Sequence, residues 1–189
     1  MPSQKELRDL IISVLVLSLA FSRFNLSVLP ENIIIITLVF ILHEMSHRFT
    51  AKRYGCFAEY RMWTWGLILA VLSSFAGFVF AAPGAVYISP YSQSKFAFSV
   101  AHLTKKEYGK ISLAGPVTNI AIGIASLVIL FFYPISFFSS LSSISFYLAM
   151  FNLLPFFQLD GLKVLRWDRK IWAAAFAVSI IGLISLGLV

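Results

Sequence analysis

The sequence predicts an all-α polytopic membrane protein with about five to six transmembrane helices, a re-entrant segment and a small membrane-associated β-sheet. Three observations carry that expectation. Of 189 residues, 59% are hydrophobic and 12% charged, and the mean hydropathy is +0.87, far from the balance of a soluble domain. Six apolar stretches approach the roughly 20 residues that a spanning helix needs. Most Lys and Arg residues fall between those stretches, where loop charge sets orientation.

The first stretch, Leu10 to Leu29, is interrupted only by Arg23, near one end, where a long side chain reaches the headgroups. Its start, MPSQKELRDL, is charged, and no small-residue cleavage site follows a short apolar core, so the first helix is read as uncleaved. Asn32 to about Arg53 is the second. Met62 to Ala82 is the third, flanked by EYRMW at 59–63 and GAVYI at 84–88, whose aromatic and β-branched residues predict strands. Ile111 to Leu159 has no charged residue and is long enough for two helices joined within YPISFFSSLSS. Ile171 to Val189 is the last. Without a repeat, charged tail or soluble domain, residues 1–189 read as a single integral-membrane domain.

Charge selects between two topologies. The basic groups are Lys5 and Arg8; Arg48, Lys52, Arg53 and Arg61; Lys95, Lys105, Lys106 and Lys110; and Lys163, Arg166, Arg169 and Lys170. If every stretch crosses, the last two groups lie outside. If the third stretch enters and returns, all four groups are cytoplasmic and only Arg23 is left on the outer half. The second arrangement is preferred, giving a multi-pass cell-membrane protein with its N-terminus cytoplasmic. The net charge of +7 does not signal nucleic acid, because the basic residues form no run interleaved with aromatics. The single cysteine, Cys56, excludes an intrachain disulfide and reads as a packing residue. His102, in a polar loop, is given no role.

Within the second stretch, HEMSH places His43, Glu44 and His47. Residues four apart on a helix share a face about 6 Å apart along the axis, so two imidazoles can converge on one metal ion. A zinc site with a third protein ligand and an open position lowers the pKa of a water molecule to about 7, and the intervening glutamate can take the proton. Ionisable groups cost roughly 2.5–3.5 kcal/mol each near the centre of a spanning helix, so three within five residues require a partner. Of the other acids, Asp160 in FNLLPFFQLDG alone ends a long hydrophobic run. In the preferred topology its segment runs in the same direction as the second stretch and brings the carboxylate to comparable depth. Pro155 and Gly161 loosen the backbone around it, suiting a ligand that turns inward.

HEMSH inside a transmembrane helix, AGPVTN at 114–119 and NLLPFFQLDG at 152–161 together resemble the site-2 protease family of intramembrane zinc metalloproteases. The three motifs occur in that family's order and span residues 43 to 161. The resemblance implies one zinc ion held by His43, His47 and Asp160, with Glu44 as general base. It also implies membrane-associated strands near the site. Its Asn-Pro-Asp-Gly motif often begins Asn-Pro, whereas here Leu153 follows Asn152 and the retained proline is Pro155. Members often carry a PDZ or paired CBS domain; this chain reads as a minimal core without either. The implied partners are the lipid bilayer and a transmembrane or membrane-anchored protein substrate, with oligomeric state left open.

Asn119 and Asn152 are candidates to hydrogen-bond a substrate backbone or the oxyanion formed on its carbonyl. Gly115, Asn119 and Gly123 form a small-polar-small face that lets a helix or peptide approach closely. Three other classes stay open. A metal transporter or sensor calls for several intramembrane ligands along a path, and a catalytically silent helix-binding adaptor has no need of Glu44. A prenyl-peptide protease takes a glutamate as third ligand, and the downstream glutamates Glu59 and Glu107 sit outside hydrophobic helices.

Overall fold

The computed structural model describes residues 3–89, 91–94, 97–100, 103–157 and 159–187; Lys95 and His102 lie outside them. Helix α1, Gln4–Phe21, begins at Ser3, whose hydroxyl accepts the Glu6 N–H at 3.1 Å. Helix α2, Leu29–Arg53, carries Pro30 in its first turn, where a missing N–H costs nothing. The two run antiparallel, and Arg48 near the end of α2 meets Glu6 at the start of α1. Arg48 Nη1 donates to both Glu6 oxygens, at 2.8 and 2.9 Å, and the Tyr60 N–H donates to Oε1 at 3.2 Å.

Both partners of that ion pair are buried, so it locks three elements at one level. Arg48→Ala leaves Glu6 buried with its charge uncompensated. The expected loss is about 3–5 kcal/mol of unfolding free energy, measured by denaturation in detergent micelles. Arg8→Ala removes the mostly exposed end of the Arg8–Asp9 pair and is expected to cost under about 1 kcal/mol.

Strands β1, Phe57–Met62, and β2, Gly84–Ser89, pair antiparallel from Phe57↔Ser89 to Met62↔Gly84, two residues or fewer from each predicted boundary. Between them lies α3, Thr64–Phe75. Its 12 residues span about 18 Å, against a hydrocarbon core of about 30 Å. The Trp63 N–H donates to the Pro83 carbonyl at 2.7 Å, so this apolar segment returns to the rung it left. A second hairpin, β3 (Tyr91–Ser94) with β4 (Ala97–Val100), occupies part of the stretch read as a loop.

Helix α4, Lys105–Phe132, begins with a capping box. Thr104 accepts the Glu107 N–H at 3.2 Å, and the Glu107 carboxylate accepts the Thr104 N–H at 2.8 Å. This cap starts the helix six residues before Ile111, the apolar boundary. Helix α5, Ser136–Asn152, follows the break at Tyr133–Ile135; α6, Asp160–Trp167, and α7, Arg169–Leu186, complete the order. Asp168 caps α7 by accepting the Lys170 and Ile171 N–H groups.

Among the described residues, α2, α4 and α7 are long and apolar enough to cross a membrane. Helix α1 carries Lys5, Glu6, Arg8 and Asp9 within its 18 residues, and α5 has 17. The main core joins α1, α2 and α5 around Leu17, Ile35, Ile36, Val39 and Leu148, with Tyr60 inserted from β1 and hydrogen-bonded to Ser13 at 2.8 Å. Cys56 packs with Ala51, Ala58 and Ile111, and burial pushes its thiol pKa up, which keeps it protonated and unreactive.

Candidate metal centre

The second and third turns from the end of α2 bring His43, Glu44 and His47 to the interior, each about 5% exposed. The two imidazoles are 4.6 Å apart between centroids, and their Nε2 atoms approach to 3.0 Å. Each ring is held from behind by α4. His47 Nδ1 donates to the Ile111 carbonyl at 2.7 Å, and the Asn119 amide nitrogen meets His43 Nδ1 at 3.0 Å.

Asp160 completes the group. Its Oδ2 lies 3.0 Å from His47 Nε2 and 3.5 Å from His43 Nε2. The carboxylate is delivered by the first turn of α6, not by the end of the long helix before it. Helix α5 stops at Asn152, and Pro155 therefore sits in the connecting turn, where it ends that helix instead of loosening it. Trp172 Nε1 donates to the Leu153 carbonyl at 2.7 Å and ties this turn to α7. Gly161 is required here, because a Cβ would lie 2.0 Å from the Leu153 oxygen.

The donor set fits zinc. A tetrahedral centre with bonds of about 2.0–2.1 Å sets its donors about 3.3 Å apart. The three observed separations, 3.0, 3.0 and 3.5 Å, bracket that value. Two imidazole nitrogens and a carboxylate are the ligand types of catalytic zinc, and the cavity they line has about 40 Å³, room for a water molecule beside an ion.

Glu44 lines the same cavity outside the ligand group, and its Oε2 is buried without a hydrogen-bond partner among the described residues. Asn152 also lines it, while its amide donates to the Leu148 carbonyl at 2.9 Å. Asn119 is fully buried and stands behind His43. Two contributors escaped the sequence reading. The Ile111 carbonyl is a backbone group with no residue signature. Lys163 Nζ, 3.6 Å from Asp160 Oδ1, was legible as the residue one helical turn beyond the acid. The strand expected at GAVYI does border the site: β2 residues Gly84, Ala85, Val86 and Ile88 form one wall of the cavity.

Gly115, of AGPVTN, lets α4 lie against the imidazoles: a Cβ there would be 2.4 Å from His47 Nε2 and 2.6 Å from His43 Nε2. Gly115→Ala is therefore expected to lose bound zinc with every proposed ligand intact, as read by metal analysis of the purified variant. Zinc retained at the wild-type level would show that the two rings yield. Gly123 plays the plainer role of packing against α5: a Cβ there would lie 3.0 Å from the Phe146 ring.

No protein-family profile matches the chain, and no solved structure matches it. Two curated proteins of Methanocaldococcus jannaschii do. The chain is 42% identical over 182 residues to "Putative zinc metalloprotease MJ0611", covering 90% of this chain and 88% of that one. It is 26% identical over 167 residues to "Zinc metalloprotease MJ0392", covering 85% of this chain and 41% of that longer one. By its identity to the first across nearly the full length of both, the chain belongs to a zinc metalloprotease family.

Proposed function

We propose that this protein is an intramembrane zinc endopeptidase of the site-2 type, hydrolysing a peptide bond within or beside a transmembrane segment of a membrane-anchored substrate. The observation that carries the reading is the convergence of His43, His47 and Asp160 on one point, with Glu44 on the wall of the same cavity, inside a bundle of membrane-length helices. His43, His47 and Asp160 are the zinc ligands. Zinc, when bound, supplies a Lewis acid that polarises the scissile carbonyl and lowers the pKa of water.

Glu44 is the general base. It takes the proton of the attacking water and, once protonated, gives it to the leaving amine. Its enclosure away from other donors leaves the carboxylate free for that transfer. Asn152, on the cavity wall, takes the substrate-binding role. Asn119 acts on the imidazole instead. With its nitrogen toward His43 Nδ1, its own Oδ1 is buried and unpartnered. A half-turn of the amide puts the oxygen there, where it accepts from Nδ1–H and leaves a lone pair on Nε2 for the metal. Asn119→Ala is expected to weaken zinc binding about 10–100-fold in a chelator competition.

Five passes, α1, α2, α4, α5 and α7, with α3 re-entering, fit the placement of charge. Contacts Glu6–Arg48, His47–Ile111 and Gly109–Trp167 bring the start of α1, the end of α2, the start of α4 and the end of α6 to one level, assigned here to the cytoplasmic face. An unwound substrate pairs with β2, whose residues line the cavity, and regains there the main-chain hydrogen bonds lost from its helix.

The test is metal removal. Purified protein is expected to contain one zinc per chain, to lose cleavage of a defined transmembrane substrate in excess chelator, and to regain it when zinc is restored. Cleavage that persists in the metal-free protein excludes the mechanism.

A further inference from the structure

A second cavity opens beside the first. It has about 280 Å³ and is lined by Trp63, Phe80, Ala82, Tyr87 and Phe157, with Arg61 at its edge. Gly84, Ala85 and Leu159 border both cavities, so the two spaces adjoin, and Leu159 immediately precedes Asp160. Whole-ligand pockets run from about 300 to 1,000 Å³, so this volume, at the small end of that range, has room for one bulky side chain. From the proposed ligands to the aromatic wall, the lining changes from titratable to apolar.

The wall comes from both sides of the site. Trp63 follows the last residue of β1, at the Met62↔Gly84 end of the β1–β2 ribbon that would hold the substrate backbone, and Tyr87 stands within β2 opposite Glu59. Phe157 projects from the turn between α5 and α6, with φ of 51°, left-handed backbone that an aromatic residue rarely adopts. It is 70% exposed, held outward over the cavity instead of into the core. A substrate strand on β2 sends alternate side chains to opposite faces, so a residue next to the bond over Asp160 can turn into this space.

We infer that the aromatic cavity formed by Trp63, Phe80, Tyr87 and Phe157 is the specificity pocket of the peptidase, receiving one large apolar side chain of the substrate beside the scissile bond. The inference rests on the peptidase reading of the site. Continuity with the catalytic cavity selects a substrate side chain over a lipid chain, because only the substrate must reach both spaces at once.

Two measurements test it separately from that reading. In the first, zinc-loaded protein cleaves a transmembrane substrate series in which each residue flanking the scissile bond is changed in turn to Phe, Leu or Ala. At one position kcat/KM is expected to favour Phe or Leu over Ala by about 10–200-fold. Ala82→Leu, which fills the cavity, and Phe157→Ala, which removes a wall, are each expected to lower that ratio at least tenfold. Equal cleavage across the series, or an unchanged ratio in both variants, overturns the pocket while leaving the peptidase reading standing. In the second, Glu44→Gln is mixed with substrate carrying p-benzoylphenylalanine at each flanking position and irradiated. Crosslinks at one position are expected on Trp63, Tyr87 or Phe157. If the wild type cleaves nothing yet those crosslinks form, the cavity is a binding site for that side chain but not a peptidase specificity pocket, and the peptidase reading falls; crosslinks absent from all three residues overturn the pocket.

Discussion

Glu44→Gln is expected to keep one zinc per chain and to cleave a transmembrane substrate about 10²–10⁴-fold more slowly than wild type, the range that a positioned general base contributes. Glutamine preserves the size of the side chain and its place on the cavity wall, but its amide cannot take a proton from water. Zinc should be unaffected because the three converging donors are His43, His47 and Asp160, with Glu44 outside that group. The pairing of readouts is what discriminates. A metal carrier or a helix-binding adaptor of the same fold loses nothing when Glu44 is changed, so undiminished cleavage removes the proposed chemistry. Lost zinc would instead move Glu44 among the ligands. Chain collapse is a separate outcome, read from the thermal transition of the same sample.

The features legible in the sequence were those that depend on polarity and short spacing. His43 and His47 share a helix face because they are four residues apart, and α2 spans the predicted stretch because no charged residue interrupts it between Asn32 and the site. The strands around the third apolar stretch were visible in EYRMW and GAVYI, since β-branched and aromatic residues suit a half-buried ribbon. What escaped depends on tertiary placement. The charge at the head of α1 takes it below spanning composition, yet Glu6 and Asp9 are buried; only the arrival of Arg48 and β1 explains them. Asn119 reads equally well as a substrate contact or a support for His43 until the helices pack and put it behind the ring. Pro155 was expected within a helix, and the chain instead stops α5 first and restarts at Asp160. The acid is thereby aimed by a new helix, which no local pattern in FNLLPFFQLDG announces.

Asp160→Asn is expected to weaken zinc binding by more than about 100-fold, beyond the effect expected of losing a supporting hydrogen bond, while the apoprotein stays folded. The substitution keeps the shape of the side chain and removes one negative charge from a buried group. In a low-dielectric site, two neutral imidazoles and a neutral amide leave the divalent charge of zinc uncompensated, and the loss is larger than it would be at a surface. Lys163 sharpens the expectation. Its ammonium lies 3.6 Å from the other Asp160 oxygen, so removing the carboxylate charge leaves a lysine facing the metal position without its partner. Asp160→Asn combined with Lys163→Met should therefore recover part of the lost affinity, so the loss in the double variant should be smaller than the sum of the single effects. Chelator competition gives each dissociation constant, and cobalt substitution adds a spectrum that reports the coordination number. Unchanged affinity in Asp160→Asn removes that residue as the third ligand. Affinity lost without any recovery in the double variant assigns the effect to the missing bond alone, with the lysine charge screened from the site.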